Sequence, residues 1–75
     1  MTDAVVNWES IVHKNARSKD GEGAGNVDAI LGDIVVITSQ GDRAEYKLPK
    51  EQVEGYNGAE VLLKVTLAEL EKYKV

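Results

Sequence analysis

The stretch Ser18-Lys19-Asp20-Gly21-Glu22-Gly23-Ala24-Gly25-Asn26-Val27 limits what this chain can fold into more than any other. Asp20-Gly21 predicts a tight hairpin turn with both central residues at positive φ, since Asp and Gly tolerate that conformation at low cost. Gly23 and Gly25 follow at alternate positions, where they admit a bend or a bulge as a strand leaves the turn. Gly25 also removes the side chain that would keep a neighbouring strand at a distance. The same glycines could be taken for a phosphate-binding loop. That motif requires the glycines to open a helix whose N-terminus faces the phosphate, and here Gly32 interrupts the chain too soon. The stretch therefore reads as the first hairpin of a β protein.

The rest of the chain supplies strands to pair with it. Ile11–Arg17 reads as a first strand, mostly polar, and 26–31 as a second in which Gly25, Val27, Ala29 and Leu31 share a face. Ile34-Val35-Val36-Ile37-Thr38 is the strongest strand signal, because every residue is β-branched. Both of its faces are apolar, so both must be covered. Ala44 to Leu48 alternates, with Ala44, Tyr46 and Leu48 predicted inward. Pro49 ends that strand and favours one helical turn through Val53, and Gly55-Tyr56-Asn57-Gly58 reads as a turn.

Residues 59–75 suit either one long helix or a strand followed by a short helix. Thr66-Leu67-Ala68-Glu69 decides for the second. It has the form of a capping box, in which Thr66 accepts from the third helical N–H and Glu69 reaches back to the N–H of Thr66. The strand then runs from Glu60 to Val65, with Val61, Leu63 and Val65 inward, and the helix from Leu67 to about Lys74. The fold class that follows is mainly all-β: a small, partly open barrel of five to six strands with a short C-terminal helix. Residues 1–10 form an N-terminal arm in which Val5, Val6 and Trp8 fold back on the barrel. Residues 11–75 form the domain.

Composition excludes several function classes. A chain of 75 residues buries only about 60% of its unfolded surface, so one small core is all it can build. There is no cysteine, hence no disulfide, thiolate nucleophile or cysteine metal ligand. His13 is the single histidine, and a zinc site needs three or four ligands. No nucleophile–base–orienter set stands out, and Asp20, Asp33 and Asp42 are accounted for as turn residues. No catalytic residue, cofactor or metal is expected. A net charge of −4 argues against direct binding of nucleic-acid phosphates. No apolar run is long enough for a membrane span, and the start of the chain lacks a signal peptide, so a cytoplasmic location is expected.

Lys14-Asn15-Ala16-Arg17-Ser18-Lys19-Asp20-Gly21-Glu22, with Gly25-Asn26-Val27 after it, resembles the opening of a PRC-barrel domain. Leu48-Pro49-Lys50, Gly58-Ala59-Glu60-Val61-Leu62-Leu63, Thr66 and Leu70 resemble the closing half of the small stand-alone archaeal members. Ala16 and Ala24 stand where the pattern has larger aliphatic residues. The resemblance implies a non-catalytic adaptor that docks another protein, often as a homodimer. Archaeal members are linked to cell division through a SepF-like membrane anchor. The alternative is a ribosome- or RNA-processing accessory domain that docks a ribosomal protein, as a bacterial member does.

The candidate contact residues follow from the apolar surplus. Val35, Ile37 and Leu62 are predicted on faces opposite the interior, where either the C-terminal helix or a partner chain would cover them. Trp8 either seals the core edge or anchors a partner, and Tyr73 is a second anchor.

Overall fold

In the computed structural model, residues 7–39 and 44–75 are described. The predicted lid residues Val5 and Val6, and the turn residues Gln40, Gly41 and Asp42, fall outside them. The described residues form a six-stranded open sheet and one short α-helix. The strands are β1 (Asn15–Arg17), β2 (Gly23–Leu31), β3 (Ile34–Thr38), β4 (Glu45–Pro49), β5 (Val53–Tyr56) and β6 (Glu60–Leu63), and the helix is α1 (Leu67–Leu70). Single 3-10 turns occupy Trp8–Ile11, Lys50–Gln52 and Glu71–Tyr73. The strand order is β4-β3-β2-β1-β6-β5. All neighbours are antiparallel except β1 and β6, which run parallel.

The sheet wraps one core. Ala16, Ala24, Val27, Val35, Ile37, Tyr46, Leu48, Val53, Val61 and Leu63 bring side chains from all six strands into one buried cluster, joined by Ile11, Val65 and Leu70. The inward sets predicted for β4 (Tyr46, Leu48) and β6 (Val61, Leu63) are both in it, as are the flanking Ala44 and Val65. The capping box is present: Glu69 N–H donates to Thr66 Oγ1 at 3.2 Å, and Thr66 N–H to Glu69 Oε1 at 3.0 Å. Leu70, 1% exposed, anchors the helix to the core. Beyond the helix, the chain pairs with the outer edge of β4 through a Tyr46–Lys74 bridge, and Val75 N–H donates to the Glu45 carbonyl at 2.8 Å. Pro49, with no N–H to offer, closes the other end of that edge.

The glycine stretch is a hairpin with a bulge, but its turn differs from the two-residue form. Gly21 has φ +83°, whereas Asp20 is not at positive φ. Gly21 N–H donates to the Ser18 carbonyl at 3.0 Å, and Ser18 N–H to the Glu22 carbonyl at 2.8 Å. This is the longer hairpin, in which a turn is followed by one left-handed glycine. A longer loop wins because it has outside supports. Lys19 N–H donates to the Val65 carbonyl at 2.7 Å, which ties the hairpin to the end of β6. The bulge falls at Ala24, where Ala16 pairs with Gly25 and Arg17 with Gly23.

Gly25 has φ +127°, and a Cβ there would lie 2.2 Å from the carbonyl oxygen of Thr38. The close approach expected at this glycine is thus made by the backbone at the end of β3, its neighbour in the sheet, where Asn26 pairs with Thr38.

Four further expectations are corrected. The first strand does not begin at Ile11. Ile11 ends a 3-10 turn and enters the core, and only Asn15–Arg17 is strand. Val53–Tyr56, expected as the tail of a helical turn and a loop, is strand β5 with a bulge at Glu54 and a buried Gly55. A second bulge, at Asp28, breaks the alternation of β2. Val27 pairs with Ile37 and Ile30 with Val35, so Ile30 faces the core and Leu31 turns outward, 56% exposed. The fourth correction concerns β3. Val35 and Ile37 are fully buried core residues, so they are unavailable to a partner. Their cross-strand neighbours on β4 are Leu48 and Tyr46, both inward, and side chains directly opposite share a face. The opposite face carries Ile34, Val36 and Thr38, of which Val36 is itself buried at 3% exposure.

Candidate functional site

An open cleft of about 870 Å³ lies between the N-terminal 3-10 turn, the bulge of β2 and the start of the 3-10 turn after β4. That volume is within the range of ligand-binding clefts. Trp8 forms one wall, half-buried against the core. Asn7 caps its turn by accepting from Glu9 N–H at 3.1 Å, and Ile11 pins the turn from below. The opposite wall is Asp28, Ala29 and Ile30, and Lys50 closes one end with its ammonium 4.9 Å from the Trp8 ring centroid. Lys50 is fixed from behind by its N–H, which donates to the Asp33 carbonyl at 2.8 Å.

Two backbone irregularities border this cleft. Val12 (φ −63°, ψ 134°) and His13 (φ 73°) form a turn closed by Lys14 N–H donating to the Ile11 carbonyl at 3.1 Å. Such a turn requires positive φ at its third position and normally places Gly or Asn there. His13 is the only non-glycine at positive φ among the described residues. It is held there by its N–H, which donates to the Val27 carbonyl at 2.7 Å. The Asp28 bulge is the second irregularity. It sets an exposed carboxylate at the cleft wall. Bulges and strained residues concentrate where a side chain must be aimed. The strand alternation seen in the sequence gave no signal for either one.

A second, smaller cleft of about 380 Å³ lies over the β1–β2 bulge. Arg17 dominates it. Its Nε donates to Glu60 Oε2 at 3.1 Å, its Nη2 to the same oxygen at 2.7 Å, and its Nη1 to the Gly21 carbonyl at 2.6 Å. The hydrogen bond and the charge of Glu60 raise the Arg17 pKa. This pair clamps the one parallel strand pair and closes the first hairpin, a structural task the sequence did not reveal. Asn26 Oδ1 is buried beside it without a partner among the described residues.

The Ser18 hydroxyl donates to the Asp20 carboxylate and, with the backbone N–H groups of Asp20 itself and of Leu67, holds its pKa below the usual value. Glu69 is lowered likewise, by the Thr66 N–H and then the Thr66 hydroxyl.

The sequence-predicted contact residues do not form one surface. Val35 and Ile37 are interior. Leu62 is half-buried on β6, paired with Arg17 and Gly55, and does not line the Trp8 cleft. Tyr73 packs half-buried on the core beside the bridge to β4. Trp8 alone lines the cleft. Its other contributors, His13, Asp28, Ile30 and Lys50, were missed; they come from distant segments that the Ile11–Lys14 turn, the β2 bulge and the Lys50–Asp33 hydrogen bond bring together. Among the described residues, no group of three or more His, Asp or Glu could hold a metal ion, and no helix is long and apolar enough to cross a membrane. No family model, curated protein or solved structure matches the chain.

Proposed function

We propose that this chain is a non-catalytic protein-docking module and that its contact site is the Trp8 cleft. The observation that carries this reading is the chain's single tryptophan, half-exposed in an open cleft framed by two fixed irregularities of the backbone. Tryptophan supplies large contact area at low conformational cost and is enriched where binding energy concentrates. The lining also fits docking better than chemistry, since among the described residues that form it there is no hydroxyl or thiol for His13 to activate. The PRC-barrel resemblance gives the reading its setting: an adaptor in archaeal cell division that docks a SepF-like anchor. Negative net charge supports a second setting, docking to a basic ribosomal protein. Co-sedimentation with ribosomal subunits separates the two.

Asp28→Arg tests the site, because Asp28 is exposed and its replacement leaves the core intact. A partner captured from the native cell by the wild-type chain should be lost by this variant and kept by Val75→Ser, which changes an exposed residue at the far end. Equal capture by Asp28→Arg contradicts the assignment.

Self-association, also implied by the resemblance, has its own surface. Leu31, Ile34 and Pro49 are cross-strand neighbours on the outer face of β2, β3 and β4. A dimeric solution mass that reverts to monomer in Leu31→Asp supports this face, and a monomeric wild-type chain at high concentration contradicts it.

A further inference from the structure

We infer that the occupant of the Trp8 cleft is a segment of a partner protein that carries a cationic side chain next to an aliphatic one. This rests on the cleft being the docking site and adds the chemistry of what docks. Three observations converge on it. First, the Trp8 ring already holds a cation, since the Lys50 ammonium sits 4.9 Å from its centroid. An aromatic face that attracts one cation attracts another, and a guanidinium stacks on it better than an ammonium does. Second, the two carboxylates of the cleft, Glu9 and Asp28, are exposed and have no ion-pair partner among the described residues, where the one salt bridge is Arg17–Glu60. An incoming cation that reaches the ring meets unneutralised negative charge there. Third, the wall beyond the ring is apolar, formed by Val12, Ala29 and Ile30, and suits an aliphatic neighbour of that cation.

Lys50 then has a defined role. It occupies the Trp8 face in the free protein and must yield it to the partner's cation. The consequence runs against a simple contact argument: removing Lys50 strengthens binding. The excess of acidic over basic residues, 13 against 9, favours a basic partner over the whole surface. The Trp8 cleft is where that preference becomes specific.

The test uses three synthetic peptides, acetyl-Leu-Arg-Val-Arg-amide and its Gln and Glu counterparts, titrated into the full chain. Binding is read from Trp8 fluorescence and from backbone amide shifts. The Arg peptide should bind about tenfold more tightly than the Gln peptide at low salt, which is about 1.4 kcal/mol, and should shift the amides of Trp8, His13, Asp28 and Lys50. Glu9→Gln with Asp28→Asn should erase that preference. Lys50→Ala should tighten the Arg peptide by about two- to fivefold, the range of an exposed cation–π contact. Equal binding of the Arg and Gln peptides in the cleft, or weaker Arg-peptide binding to Lys50→Ala, overturns the charge assignment while leaving the cleft as a docking site. Amide shifts confined to other surfaces overturn the docking site as well.

Discussion

Gly25→Ala tests the packing on which the whole fold depends. The added Cβ would lie 2.2 Å from Thr38 O, 2.9 Å from Thr38 C and 3.1 Å from the Ser39 Cα. All three are backbone atoms, so no side chain can swing aside. A normal C···O contact is about 3.3–3.6 Å, and the end of β3 must therefore retreat by roughly 1 Å. Three costs follow. An L-residue at this positive φ costs about 1–2 kcal/mol, forcing atoms into a packed site about 1–3 kcal/mol, and loosening a hydrogen bond at the Asn26–Thr38 end of the ladder about 1 kcal/mol. Restriction of the unfolded chain by alanine returns about 0.4–1 kcal/mol. The expected net loss is about 2–5.5 kcal/mol, set against roughly 4–11 kcal/mol for a domain of this length. Urea denaturation followed by Trp8 fluorescence reads it as a midpoint about 2–5.5 M lower, for a slope near 1 kcal/mol/M. Gly23→Ala is the control two residues away. Nothing lies within 4 Å of its Cβ and its φ is not positive, so it should fall within about 0.5 kcal/mol of wild type. If Gly25→Ala is equally silent, the close approach of the end of β3 to Gly25 is wrong.

Other perturbations test the remaining parts. Ile37→Ala should cost about 2–5 kcal/mol, and Ile37→Asp should leave the chain unfolded by circular dichroism, because this residue is core and not interface. Thr66→Ala removes the helix cap and should lower stability by about 1 kcal/mol in the same denaturation assay. His13→Gly relieves an unfavourable φ, so it should leave stability unchanged or raise it by up to about 1 kcal/mol; a clear loss would show that the imidazole itself holds the turn. Asp20 and Glu69 have folded pKa values below their unfolded ones. Their contribution is complete above the ordinary carboxylate range and is lost as pH falls through the lowered folded values. Thermal midpoints should therefore drop below about pH 4, and Asp20→Asn with Glu69→Gln should flatten that drop.

The sequence made legible those features that are local. The capping box at Thr66 and Glu69, the inward alternation of Tyr46 and Leu48, the need for Gly25 and the β-branched strand 34–38 all depend on residues within a few positions of one another. What it hid depends on register. Alternation divides Ile34–Thr38 into two apolar sets but cannot say which set faces inward; that is decided by Ile37 pairing with Tyr46 and Val35 with Leu48. The Asp28 bulge exchanged the roles of Ile30 and Leu31 without leaving a mark in the residue pattern. In sequence, β5 reads as a turn because Gly55 and Asn57-Gly58 carry turn chemistry, while its pairing with β6 is a tertiary effect. The same irregularities built the Trp8 cleft, so the fold was far more readable than the site.

The most direct test of the site is photo-cross-linking in the native cell. A benzophenone amino acid replaces either His13, exposed in the lining of the Trp8 cleft, or Leu67, exposed on α1 at 37%. Docking through the cleft predicts a protein adduct from position 13 and none from position 67. An adduct from position 67 alone would place the partner on the C-terminal helix and contradict the account.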